Sequence, residues 1–128
     1  MEGTREAIQG IVRVTNAGND VRVVNFQRGR IREEREILKA LEDLGKYIET
    51  HPGLRLLMNL EHIEYLSSAG LGNLVGLLKK SRRSNSQFKL CCLQEPIEEL
   101  FEVMRLTKIF EIFKTEAEAV KSFEAKAP

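Results

Sequence analysis

The sequence predicts a single layered α/β domain with a mixed, mostly parallel sheet, one antiparallel edge strand and about four helices, in the order β-β-α-β-α-β-α-β-α. Three observations lead there. From Leu54 onward, short apolar runs alternate with segments of helical period across short connections, the pattern of parallel strands joined by crossover helices. Ahead of them, two alternating runs flank the turn cluster Asn16-Ala17-Gly18-Asn19-Asp20, which marks a hairpin. A chain of 128 residues, 42% hydrophobic and 30% charged, suffices for one core and leaves little room for a second domain.

Residues 1–10 read as a lead-in and 11–125 as the domain. Residues 11–15 (IVRVT) and 21–26 (VRVVNF) alternate as half-buried strands do. Residues 31–50 have helical period, with Ile31, Ile37, Leu38, Leu41, Leu44 and Ile48 on one stripe. His51-Pro52-Gly53 stops that helix, because proline cannot continue the hydrogen-bond ladder. Residues 54–60 (LRLLMNL) are mostly apolar, as a strand covered on both faces should be. A loop over 61–66 leads to a second helix that carries Leu71, Leu74, Val75 and Leu78 on one face. Its last turns hold Lys79, Lys80, Arg82 and Arg83, which suits the negative end of the helix dipole. Residues 87–93 (QFKLCCL) form the next strand. Pro96 sits where a first helical turn tolerates proline, and Ile97, Leu100, Phe101 and Met104 form the stripe of a third helix. Residues 109–113 (IFEIF) read as a last short strand, and Thr115-Glu116-Ala117-Glu118 has the capping-box pattern that opens a terminal helix to about Glu124.

Several function classes are disfavoured. A net charge of +1, from 20 basic and 19 acidic residues, lacks the excess needed to neutralise phosphates or hold an anionic membrane surface. No run approaches the roughly 20 apolar residues of a membrane span, and the first residues carry no signal-peptide core, so a cytoplasmic address is expected. Adjacent Cys91 and Cys92 read as small hydrophobes pointing to opposite faces of a strand in a reducing compartment, without the spacing or further ligands of a zinc or redox site. A serine hydrolase would need a base and an orienting group. The histidines are His51, beside a helix-stopping proline, and His62, in a loop, and there is no G-x-S-x-G elbow. Gly70-Leu71-Gly72 gives only G-x-G, so the chain is not expected to bind ATP by itself. The expectation is a binding protein with no catalytic residue, metal or cofactor.

The most informative stretch is Tyr65-Leu66-Ser67-Ser68-Ala69-Gly70-Leu71-Gly72, where a strand hands over to a helix. Two hydroxyls there meet the open N–H groups of a helix start. Ser67 or Ser68 can serve simply as the N-cap, with the glycines serving helix–sheet packing. Alternatively, a serine here can accept a phosphate. That adds roughly −1.5 to −2 charges, which the helix dipole tolerates while a partner on the same surface does not.

Residues 57–72 (LMNLEHIEYLSSAGLG) resemble the signature segment of bacterial STAS domains, and residues 90–113, with Cys92-Leu93, Pro96, Leu100-Phe101, Leu106 and Ile109-Phe110, are similar to the same family. The resemblance implies an anti-sigma-factor antagonist. Such proteins bind an anti-sigma factor that is also a GHKL-type serine kinase, are released on phosphorylation, and are restored by a PP2C-type phosphatase. It places the phosphoacceptor on Ser68, with Ser67 as the alternative. It makes Ser67, Ser68, Ala69, Gly70, Gly72 and Asn73 the docking face, bordered by Arg30 and Arg32. A monomer or weak dimer is expected, without nucleic-acid or membrane partners. Three positions depart from the family's pattern: Ser67 replaces an aspartate, Asn59 stands where the central strand often carries Asp, and Gly29-Arg30-Ile31-Arg32 lacks the usual carboxylate. The alternatives are a scaffold STAS domain that is never phosphorylated and a ligand-sensing one.

Overall fold

A computed structural model describes residues 7–9, 11–27 and 33–124. Its elements are β1 (Ala7–Gln9), β2 (Val12–Asn16), β3 (Val21–Phe26), α1 (Glu34–Thr50), β4 (Arg55–Asn59), α2 (Ser68–Arg83), β5 (Gln87–Cys91), α3 (Glu95–Val103), β6 (Ile112–Phe113) and α4 (Glu116–Glu124). A 3-10 turn, Leu106–Lys108, precedes β6. The described strands form one six-stranded sheet in sequential order, β1 to β6. β2 and β3 pair antiparallel, and β3 through β6 run parallel. This is the expected mixed α/β architecture, with one addition. Part of the stretch expected as a lead-in forms β1, which pairs antiparallel with β2 through Ala7↔Val14 and Gln9↔Val12. Three residues are too short for a period to declare itself, and the open edge of β2 offers unpaired N–H and C=O groups that a preceding segment can satisfy.

The two faces of the sheet are covered unequally. Leu56 and Met58 of β4 and Phe88 and Leu90 of β5 point to the side packed by α1, α2 and α3. The intervening Leu57 and Cys91 point to the other side, with Val21, Val23, Ala119 and Phe123 under α4. This period of two in the central strands is why 54–60 reads as a continuous apolar run.

α1 begins with a capping box in which the Glu33 N–H donates to Glu36 Oε1 at 3.2 Å. It buries Ile37, Ala40, Leu41, Leu44 and Ile48. Pro96 lies in the first turn of α3. Thr115 Oγ1 accepts from the Glu118 N–H at 3.1 Å and caps α4.

Two strand boundaries differ from expectation. Phe110 turns into the core against Phe101, ring centroids 5.7 Å apart, so only Ile112–Phe113 of the 109–113 run pairs with β5. β5 ends at Cys91 because Cys92 has φ 62°. That left-handed turn brings the two cysteine sulfurs within 3.5 Å rather than sending them to opposite faces.

Candidate functional site

The serine pair stands beyond the carboxyl end of β4, where the connection over residues 60–67 has to be held without regular secondary structure. The sequence holds it by spacing. Leu60, Ile63 and Leu66 are buried at 1%, 1% and 6% exposure, while Glu61, Glu64 and Tyr65 stay outside. Backbone groups are satisfied as well. The Leu60 N–H donates to Cys91 O at 3.0 Å, and the Ile63 N–H to Leu60 O at 3.0 Å. Gln94 Nε2, just before α3, donates to Glu61 O at 2.6 Å.

Asn59 joins this loop to the opposite layer. Its side chain is 5% exposed; Oδ1 accepts from the Glu61 N–H at 2.8 Å, and Nδ2 donates to Glu116 Oε1 of α4 at 2.9 Å. An amide can do both, because it carries a donor and an acceptor. An ionised aspartate could accept from Glu61 but would have nothing to donate to Glu116. The departure at this position therefore has a local structural cause.

The two serines divide the work between them. Ser67 is the N-cap: its backbone is extended, Oγ accepts from the Gly70 N–H at 3.1 Å, and its carbonyl accepts from the Leu71 N–H at 2.9 Å. Ser68 is the first helical residue and is exposed, and among the described residues its hydroxyl makes no hydrogen bond. The N–H groups of Ser68 and Ala69 have no intrahelical acceptor, as in any first turn. No acidic side chain lies in that turn, so nothing within it opposes an added anion.

Around the serines the surface is small. Ala69 and Gly72 are exposed and Asn73 is half-buried. A Cβ at Gly72 would meet nothing within 4 Å. Gly70 instead faces inward, where a Cβ would approach Leu66 Cδ2 at 3.2 Å and Leu38 Cδ2 at 4.0 Å. Gly70 thus leaves room for Leu66 to seat against the first turn of α2, and it adds no exposed side to the face. Arg30 and Arg32, expected at its border, lie outside the described residues. Of the basic run at the far end of α2, Lys80 pairs with Glu49 at 3.3 Å and Ser81 is buried, while Lys79, Arg82 and Arg83 are exposed.

Beside the serines runs a groove of about 360 Å³, lined by Tyr65, Leu66, Ser67, Ser68, Leu71, Ile97, Leu100 and Met104 among others. Tyr65 and Met104 are not among the residues that the sequence places on the docking face. The stripe through 97, 100, 101 and 104 predicts Met104 to be buried, yet α3 ends at Val103 and Met104 emerges 54% exposed.

His62 Nε2 lies 3.2 Å from Glu61 Oε2, and His51 stacks on Tyr47 with centroids 4.3 Å apart. Among the described residues no group of three or more His, Cys, Asp or Glu side chains could hold a metal ion. No helix among them is long and apolar enough to cross a membrane. Burial pushes both thiols above their ordinary range, Cys91 most strongly, with added contributions from Glu61 and Glu116. They are therefore poor nucleophiles at neutral pH.

The family model for the STAS domain matches residues 32–119. An anti-sigma-B factor antagonist from Listeria monocytogenes is 35% identical over 80 residues, covering 62% of this chain and 69% of the relative. Among solved structures, an anti-sigma-factor antagonist (STAS) domain protein from Planctomyces limnophilus superposes with a TM-score of 0.75 at 21% identity, covering 87% of this chain and 96% of that one. The anti-sigma factor antagonist SpoIIAA in its unphosphorylated form gives 0.70 at 13% identity, covering 91% and 99%. At those identities the structures speak for the fold alone.

Proposed function

The chain belongs to the STAS domain family, and on that footing we propose that it is an anti-sigma-factor antagonist, a regulatory docking protein switched by phosphorylation of Ser68. In this reading a GHKL-type kinase that doubles as the anti-sigma factor binds the face around Ser68, Ala69, Gly72 and Asn73. It transfers the γ-phosphoryl group of ATP to Ser68 Oγ, whose proton is lost, and ADP leaves. A PP2C-type phosphatase hydrolyses the ester and restores the docking form.

One observation carries the choice of residue. The Ser68 hydroxyl is exposed and uncommitted at a helix start, while its neighbour's is engaged as the cap. A phosphate on Ser68 would lie near open N–H groups and the positive end of α2, so the fold would tolerate it. On Ser67 it would displace the cap, at a cost of about 1 kcal/mol.

The test is incubation with ATP and a cognate GHKL-type kinase, followed by intact mass. The reading expects a gain of one phosphate in the parent and in Ser67→Ala, and none in Ser68→Ala. Binding of the parent with no phosphate gained would favour a constitutive scaffold, and a gain lost in Ser67→Ala alone would move the acceptor.

A further inference from the structure

Few large apolar side chains are left exposed among the described residues, and two of them face one place. Tyr65 is 66% and Met104 54% exposed, and both line the groove beside Ser68. Val103, 78% exposed, ends the helix that forms the far wall. The helix that forms this wall is acidic along its solvent-exposed side, though Arg105 follows it and is exposed. α3 carries Glu95, Glu98, Glu99 and Glu102 with no lysine or arginine between Glu95 and Val103, and all four are exposed. Glu64 lines the groove from the opposite side. None of these five carboxylates has an ion-pair partner among the described residues. In a chain whose total charge is +1, this is a local concentration of negative potential beside an apolar hollow, within a Debye length of it.

Resting on the antagonist reading, we propose that this groove is the anchor pocket of the docking face and receives an apolar side chain from a basic segment of the partner. The hollow supplies the desolvated centre that dominates binding energy, and the glutamates select a flanking lysine or arginine. A second copy of this chain fits poorly, because two-fold pairing would bring the same acidic helix against itself. Anionic lipid is repelled for the same reason.

The molecule carries its own reporters. Met104 lines the groove and Met58, fully buried in β4, is the internal control. Protein labelled with ¹³C-methyl methionine is titrated with a blocked ten-residue peptide that sets leucine and phenylalanine among arginines and lysines. A second peptide has glutamates in place of the basic residues. The expected result is a saturable shift of the Met104 methyl with the basic peptide, at least tenfold weaker affinity for the acidic one, and a Met58 signal that stays in place. Glu99→Lys combined with Glu102→Lys should weaken the basic peptide several-fold, as should 0.5 M salt, roughly three times the physiological ionic strength. An unmoved Met104, equal affinity for the two peptides, or a Met104 shift produced by protein concentration alone would each overturn the proposal.

The kinase complex separates this claim from the reading beneath it. If the parent binds the kinase and gains phosphate while Tyr65→Ala and Met104→Glu bind equally well, the groove is not the anchor and the antagonist reading stands. If Met104 takes up the basic peptide but the kinase neither binds nor modifies the parent, the groove is supported and the antagonist reading falls.

Discussion

Replacing Asn59 by aspartate restores the residue often found there in the family, and it should destabilise this protein. The side chain now spans two layers, accepting from the Glu61 N–H at 2.8 Å and donating to Glu116 Oε1 at 2.9 Å. Asn59→Asp keeps the first bond, and the added charge strengthens it. The second is lost, and two carboxylates face each other in its place. A hydrogen bond to a charged group contributes about 1.5–3 kcal/mol. The repulsion adds less than its full Coulomb value, because Glu116 is only half-buried and can swing toward water. The expected loss is about 2–3 kcal/mol, or roughly 6–15 °C in Tm for a domain of this size. Urea denaturation at pH 7 measures it. At acid pH the deficit should shrink, since one of two facing carboxyls then takes up a proton and becomes a donor again. Asn59→Asp combined with Glu116→Gln restores a donor on the opposite side and should recover most of the loss, a coupling of about 1–3 kcal/mol. If Asn59→Asp stays within about 0.5 kcal/mol of the parent, the contact contributes nothing and the local account of this departure is wrong.

Other expectations follow from the same site. Ser67→Ala should cost about 1 kcal/mol as a lost cap, while Ser68→Ala stays within about 0.5 kcal/mol; equal losses in denaturation would contradict the division of roles. Gly72→Ala should raise stability by about 1 kcal/mol, because a methyl there meets nothing of its own chain, and the same variant should weaken partner binding in calorimetry. Native-state alkylation with iodoacetamide should reach Cys92 slowly and spare Cys91, with rates that keep rising as pH climbs past the ordinary thiol range, because burial holds both protonated. Rapid labelling of Cys91 at pH 7, seen by peptide mapping, would contradict that burial.

Much of this was legible in the sequence because the signals were local. The apolar run over 54–60 and the turn cluster at 16–20 each state a period or a break within a few residues. Ser67 followed by Ser68 announces a helix start, but which hydroxyl caps it depends on the backbone angle at Ser67 and the reach of Oγ to Gly70. What stayed hidden is tertiary. Gly70 looks like its neighbour Gly72 until the loop folds Leu66 back to 3.2 Å from where its Cβ would stand. Met104 follows the stripe of α3 by spacing, and only the early end of that helix turns it outward. Asn59 reads as a missing carboxylate until Glu116, 57 residues away, is seen to need a donor. The fall of Cys92 into a left-handed turn has no local sequence cause that would predict it.

A basic partner raises a question of sign, because a phosphate on Ser68 would attract it. The two effects act at different ranges. Between separated charges in water, attraction at about 4 Å is worth about 1 kcal/mol per unit charge, and it is screened over about 8 Å at physiological salt. A partner packed over Ser68, Ala69 and Gly72 must instead remove the dianion from water beneath neutral atoms, which costs several kcal/mol unless every oxygen finds a donor. The open N–H groups of Ser68 and Ala69 supply few such donors, and the carboxylate of Glu64 lines the same groove. Exclusion at contact therefore outweighs attraction at range. A separable consequence follows: raising salt should weaken binding of the unmodified protein by screening the glutamates of α3. It should not rescue binding of the phosphorylated form, whose defect is bulk and desolvation. If 0.5 M salt, roughly three times the physiological strength, instead brought the affinities of the two forms together by strengthening the phosphorylated one, long-range repulsion would be the operating force, and a basic partner segment would be excluded.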